Sequence, residues 1–314
     1  MEVFSVSAGQ TMVLFTLIIA GFLLARIKAV PENTAQVLSK LENNIFVPAL
    51  VMLTFINNFT AERIGAAGGL FVCGLVTCVI MMGISVLIVR FFSRDEYIRR
   101  IYTYGLVFSN FGFMGNAVVS AVFPEYFTDY LIFTLPMWML IYMWGVPFLL
   151  IPPKDGKRSV AGRVKALINP MFIALVIGIL IGILKIKLPD FIMKVLDSAS
   201  DCMSPVAMLL TGVTLASTPM KKMLSVKSIY AVSFVRLLVF PLLTIGFLLL
   251  IPVDKNVAVC AVCAMAMPLG LNTIVVPRAY GLDTSVAAGM TFVSHLMSVI
   301  TIPAVFWLMM KVAL

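Results

Sequence analysis

The chain has 314 residues, of which 61% are hydrophobic and 12% charged, about half the ~25% charged residues usual in soluble chains. So few polar side chains cannot cover a soluble surface, and a mean hydropathy of +1.08 fits a chain whose solvent is mostly lipid. Most soluble folds are thereby excluded, and the expectation is an all-α polytopic membrane protein.

Crossing about 30 Å of hydrocarbon takes roughly 20 helical residues. Apolar runs of that length predict ten spans, at approximately 8–26, 36–57, 64–89, 101–122, 127–151, 166–184, 190–216, 228–251, 256–277 and 285–310. The first is read as a span and not as a cleaved signal peptide. Glu2 is the only charge before it, and its positive residues, Arg26 and Lys28, follow it. The linkers are short and none is of low complexity, so no appended soluble domain is expected.

The net charge is +9. The loops after spans one, three, five, seven and nine hold 16 of the 23 basic residues, five of them in the central loop (Lys154, Lys157, Arg158, Arg163 and Lys165). Short loops rich in Lys and Arg stay in the cytoplasm, which places both termini outside in a cell-membrane protein. The positive charge then serves topology and lipid headgroups, and no nucleic-acid partner is expected.

The chain also matches itself. Arg26-Ile27-Lys28-Ala29-Val30-Pro31 parallels Lys185-Ile186-Lys187-Leu188-Pro189, and Pro48 through Thr54 parallels Pro205 through Thr211. Asn110-Phe111-Gly112-Phe113 parallels Pro268-Leu269-Gly270-Leu271, with Asn116 and Asn272 just beyond. The offsets lie between 157 and 159, and half of 314 is 157. Residues 1–157 and 158–314 are therefore expected to be two five-helix repeats. An odd number of spans makes the second repeat enter the membrane from the opposite side, so that the two copies can exchange roles about a central site.

Spans four and nine are the interrupted ones. Span four carries Ser109-Asn110-Phe111-Gly112-Phe113-Met114-Gly115-Asn116, and span nine carries Met267-Pro268-Leu269-Gly270-Leu271-Asn272. Gly and Pro weaken the backbone ladder, and freed N–H and C=O groups in lipid must be paired or must line a cavity. A broken helix offers a positive half-helix N-terminus to an anion, and Asn amides can donate or accept. A kink filled by small residues would explain either break alone; matching breaks in both halves point to a site. No Asp or Glu falls in either break, which suits a carboxylate substrate and argues against proton exchange through a crossover carboxylate.

These motifs, with Asn44 to Pro48, Asn169-Pro170, Arg236 to Pro241 and Ala279-Tyr280-Gly281, resemble the auxin efflux carrier family of ten-span transporters from end to end. The short central loop is similar to that of compact prokaryotic members and not to plant members with a long hydrophilic loop. The resemblance implies a sodium/proton-antiporter-like fold. Spans one, two, six and seven would form a scaffold. Spans three to five and eight to ten would form a mobile core in which broken spans four and nine cross, with elevator-like transport of small organic anions such as auxin, malate or malonate. Carried over residue by residue, Asn110, Gly112, Gly115, Asn116, Pro268, Gly270 and Asn272 would line the substrate site. A homodimer through scaffold helices is expected by analogy.

The remaining polar residues keep two readings each. Arg236, inside span eight, is a candidate counter-charge or a side chain snorkelling to the cytoplasmic edge. His295, the only histidine, is a candidate proton relay or a satisfied structural residue. Asp201, Asp197 and Glu42 would be coupling groups if buried and helix caps if not. Thr54 and Thr211, each six residues beyond a proline, face the site from the scaffold or bond back to the preceding turn. Cys260 and Cys263 share a helix face and read as small buried residues. There is no H-E-x-x-H, G-x-S-x-G or G-x-x-x-x-G-K-[ST] motif, so neither an enzyme, a metal, a cofactor nor ATP-driven pumping is expected. The partners expected are a small organic anion and the bilayer. The alternative is a symporter coupled to Na+ or H+ for a less polar acid, like the bile-acid symporters.

Overall fold

A computed structural model describes residues 2–66, 68–152, 169–217, 221, 224–251 and 253–312. The five basic residues of the expected central loop, Lys222 and the midpoint of the chain lie outside the described residues.

The described residues are mostly helical and include no strand. The α-helices are α1 (Glu2–Arg26), α2 (Thr34–Leu41), α3 (Val47–Asn58), α4 (Ala61–Ala66), α5 (Gly68–Ile88), α6 (Glu96–Val107), α7 (Asn116–Val122) and α8 (Phe127–Leu140). They continue as α9 (Pro170–Leu184), α10 (Asp190–Ala216), α11 (Lys227–Phe234), α12 (Phe240–Leu250), α13 (Lys255–Ala266), α14 (Asn272–Ala279) and α15 (Ser285–Val312). Among the described residues, six helical stretches are long and apolar enough to cross a membrane: Ser5–Arg26, Gly68–Phe91, Pro124–Leu150, Asp190–Ala216, Lys227–Leu250 and Ser285–Val312. The other four expected crossings fall on helices that are shorter, interrupted or more polar.

The solvent of this bundle is legible in α5. It buries Leu70, Gly74, Cys78, Met81 and Ser85 along one stripe, while Val72, Val76, Val79, Ile80 and Leu87 on the opposite side are exposed. A helix apolar all round with half its surface uncovered suits lipid and not water.

Among the described residues, four π-helical turns interrupt the regular winding: Glu42–Phe46 joining α2 to α3, Phe111–Gly115 before α7, Ile141–Leu150 after α8 and Val235–Val239 joining α11 to α12. Such turns rotate the side chains that follow and recur at functional sites. Three of them hold a buried polar side chain: Glu42, Tyr142 and Arg236.

Two close helix contacts are related by a shift of 157 residues along the chain. A Cβ added at Gly21 of α1 would lie 2.3 Å from the Leu209 carbonyl oxygen of α10, and one at Gly178 of α9 would lie 2.8 Å from the Met52 carbonyl oxygen of α3. Only glycine permits backbones to approach so closely. Helices α1 and α9 also end alike. Lys28 and Lys185 take left-handed backbone (φ 58° and 53°), and beside them Ala29 N–H donates to Leu24 O at 3.0 Å and Ile186 N–H to Ile181 O at 3.1 Å. This is the bond that closes a Schellman turn.

Candidate substrate site at the crossed helix breaks

Helix α6 ends at Val107, and Phe108 is extended (φ −107°, ψ 104°); α13 ends at Ala266, and Met267 is extended (φ −70°, ψ 147°). The two extended pieces meet as an antiparallel bridge between Ser109 and Leu269. Asn110 N–H donates to the Pro268 carbonyl at 2.7 Å, and the Ser109 hydroxyl donates to Ala264 O at 2.7 Å. Gly270 is required at this crossing, because a Cβ there would lie 2.7 Å from Phe108 O. Proline at 268 costs no bond in an extended segment, since only its carbonyl is used.

Breaking two helices leaves carbonyls at the ends of α6 and α13 without intrahelical partners. Arg236 takes them. Its guanidinium donates to Leu106 O (3.0 Å), Ala264 O (3.1 Å) and Met267 O (3.2 Å), and the side chain is fully buried. It neither snorkels to an edge nor faces a cavity. It sits on the negative ends of both first half-helices, which leaves the N-termini of the second halves to set the field at the crossing.

The sequence-predicted residues divide into those already satisfied and those that are not. Asn110 caps its own half-helix: its Oδ1 accepts from Met114 N–H at 3.3 Å. Its Nδ2 donates to His295 Nε2 at 3.0 Å, which makes His295 Nδ1–H the donor to Thr291 O at 2.8 Å. Both ring nitrogens of His295 are thus engaged. Gly112 and Gly115 pack against α8, where added Cβ atoms would strike the Trp138 ring at 2.1 Å and the Tyr130 hydroxyl at 2.2 Å. The Thr211 hydroxyl bonds back to Ala207 O at 2.8 Å, and Thr54 is buried on α3. Asp201 and Asp197 are exposed on α10, away from any cap.

Asn116 and Asn272 remain open: the Oδ1 of each is buried without a hydrogen-bond partner. Asn272 Nδ2 donates to the Tyr104 hydroxyl at 2.8 Å. A tyrosine hydroxyl donates as readily as it accepts, so rotating this amide keeps the bond and turns its NH2 toward the crossing. Two further groups, which sequence reasoning missed, are buried unpartnered donors: Trp138 Nε1–H and the Tyr142 hydroxyl. Their rings stack at 5.9 Å, one helical turn apart. The signal was two polar-tipped aromatics at i and i+4 in an apolar span, easily passed over as core.

A cavity of about 10 Å³ at the crossing is lined by Tyr104, Gly112, Trp138, Gly270 and Asn272, among others. It has room for no more than a water molecule. A larger cavity, about 210 Å³, lies alongside α14 and is lined by Lys40, Asn43, Asn44, Val146, Asn169 and Val276, among others. Val276 is one turn beyond Asn272 and Val146 one turn beyond Tyr142, so this cavity approaches the crossing from one side.

The family model for membrane transport proteins, that of the auxin efflux carriers, matches residues 7–307. The chain belongs to this family. It is also similar to an uncharacterized transporter of Methanocaldococcus jannaschii, 25% identical over 96% of this chain and 98% of that one. The protein is thus a multi-pass membrane transporter, and a transporter family is consistent with the lack of catalytic motifs.

Proposed function

We propose that this transporter carries a small organic anion, a carboxylate or dicarboxylate of the malate, malonate or auxin kind, by secondary transport with elevator-type alternating access. The substrate is held where broken spans four and nine cross. The observation that carries this reading is the placement of Arg236. By occupying the carbonyl ends of both first half-helices it leaves a crossing field set by helix N-termini and by Trp138, Tyr142, Asn116 and Asn272. No carboxylate lines the small cavity there, and a carboxylate guest needs donors without a competing negative charge.

The inverted repeat has support in the contacts. Gly178 is 157 residues beyond Gly21, and Leu209 is 157 beyond Met52, so the α1–α10 and α9–α3 contacts are equivalents under a shift of half the chain. The left-handed turns at Lys28 and Lys185 obey the same shift. These are the helices assigned to the scaffold, and their glycine-paired backbones suit a rigid frame past which a core of spans three to five and eight to ten can slide. With both termini outside, the 210 Å³ cavity opens to the cytoplasm, and Lys40 at its wall attracts an arriving anion.

Flux into proteoliposomes, measured for a panel of mono- and dicarboxylates with and without imposed sodium and proton gradients, tests the reading. Asn116→Ala and Asn272→Ala should abolish uptake while leaving folded protein in the membrane. Undiminished flux in both removes the site assignment.

A further inference from the structure

Span two passes the crossing at the π turn Glu42–Phe46, and there it buries an acid. Glu42 is 0% exposed, and neither of its carboxyl oxygens has a hydrogen-bond partner. Nor does its carboxylate cap a helix N-terminus, since α2 runs into it from Thr34. The polar neighbours on its own helix are spoken for. The Ser39 hydroxyl and Asn43 Nδ2 both donate to Val275 O of α14, the latter at 2.9 Å, and Asn44 Nδ2 donates to Lys40 O at 2.7 Å.

Electrostatic help is equally lacking. The Tyr142 hydroxyl, which lies beside the Asn272 amide without a hydrogen bond of ordinary length, is the titratable group within reach of the Glu42 charge. Lys40 on the same helix is exposed, Arg278 occupies the last turn of α14, and Asp190, Lys194, Asp197 and Asp201 are exposed on α10. Helices α3 and α9, also packed against the π turn, carry no titratable side chain. An ionised carboxylate deprived of water, donors and counter-charge is far costlier than the neutral acid.

We propose that Glu42 is a proton-binding site of this transporter: it holds a proton while α14 is docked on span two and releases it to water when they separate. The bonds from Ser39 and Asn43 to Val275 are the latch between the two elements. The 210 Å³ cavity has Asn43 and Val276 in its wall, so separation of α14 joins Glu42 to water already at the seam. The inference rests on the division proposed above, in which span two belongs to the frame and span nine moves. Each excursion of the core must then break the latch, and proton release follows the motion.

The test needs no substrate, so its outcome is independent of the organic-anion reading. In a background with the native Cys73 and Cys202 replaced by serine, Ser39→Cys places a thiol at the buried latch, and its rate of labelling by a maleimide in nanodiscs reports separation. The ratio of that rate in the chain with Glu42 to that in the Glu42→Gln variant cancels the thiol's own titration. With one proton released per opening, the ratio should climb with pH by up to about tenfold per unit. The infrared difference between wild type and Glu42→Gln at neutral pH should contain the carbonyl band of a protonated acid, and Glu42→Asp, which keeps the acid should the amide not fold, should retain it. A ratio flat in pH, a ratio that follows sodium in place of pH, or a difference spectrum without that band overturns the proposal.

Discussion

The Arg236 guanidinium meets the Leu106 carbonyl at 3.0 Å across 130 residues of sequence, and with the same fork it holds Ala264 and Met267. One side chain therefore closes the open ends of both broken helices. Arg236→Met orphans the Leu106 and Met267 carbonyls in a dry interior, Ala264 O keeping the Ser109 hydroxyl, and should cost on the order of 3–5 kcal/mol. Arg236→Lys, a point charge without the planar fork, should recover only part of this. Thermal unfolding in detergent, followed by size-exclusion chromatography, measures both. A wild-type midpoint for Arg236→Met would show that the caps are dispensable.

Trp138→Phe and Tyr142→Phe each remove one unpartnered donor while keeping a ring in the stack. Neither group makes a hydrogen bond of ordinary length within the protein, so Tyr142→Phe should stay within about 1 kcal/mol of wild type, whereas Trp138→Phe also empties the space its ring fills against Gly112 and should cost about 1–3 kcal/mol. A donor lost from a charged substrate costs ~1.5–3 kcal/mol, roughly ten- to a hundredfold in KM. Uptake kinetics for the best-transported carboxylate separate the two effects. Unchanged KM in both variants would move the substrate away from span five.

Gly21→Ala and Gly178→Ala drive a methyl group into the backbone of a neighbouring helix, at 2.3 and 2.8 Å from a carbonyl oxygen. Overpacking of this kind costs about 1–3 kcal/mol, and equivalence of the two contacts predicts losses of similar size. Gly246→Ala, where a Cβ meets nothing within 4 Å, is the control and should be neutral. If only one of the first two variants is destabilised, the contacts are not equivalents.

Outside the spans, Lys185 at the end of α9 lies 2.5 Å from the Glu62 carboxylate of α4. The hydrogen bond and charge of Lys185 hold the Glu62 carboxyl below its usual range. A carboxyl depressed in the folded state adds stability above its unfolded value, and that contribution fades as pH falls through the folded one. Both partners are exposed, so the effect should be small and weakened by salt. Melting of wild type and Glu62→Gln should accordingly differ slightly at neutral pH in low salt and coincide in acid. A gap that persists in acid would mean that Glu62 acts by packing.

Some of the candidate site's geometry was legible in the sequence. The breaks at Asn110 and Pro268 were readable because Gly, Pro and Asn act on their own backbone, and Asn116 and Asn272 are the two amides that stay unsatisfied. The register of the proposed duplication was less so. Residue types align Arg26 with Lys185, but the shared left-handed turn aligns Lys28 with it, since turn geometry and not residue type sets the correspondence.

What the sequence alone determined is the solvent and the interruptions: lipid from the scarcity of charge, and two broken helices from their helix-weakening residues, both local properties. Whether a buried polar group is free or spent was decided only by the tertiary structure. Arg236, Asn110 and His295 find partners on other helices, whereas Glu42, Trp138 and Tyr142 find none. Hydrogen bonding is a matter of a few ångströms in space, and the groups that meet here stand up to 236 residues apart in the chain. No spacing in the sequence records such a meeting.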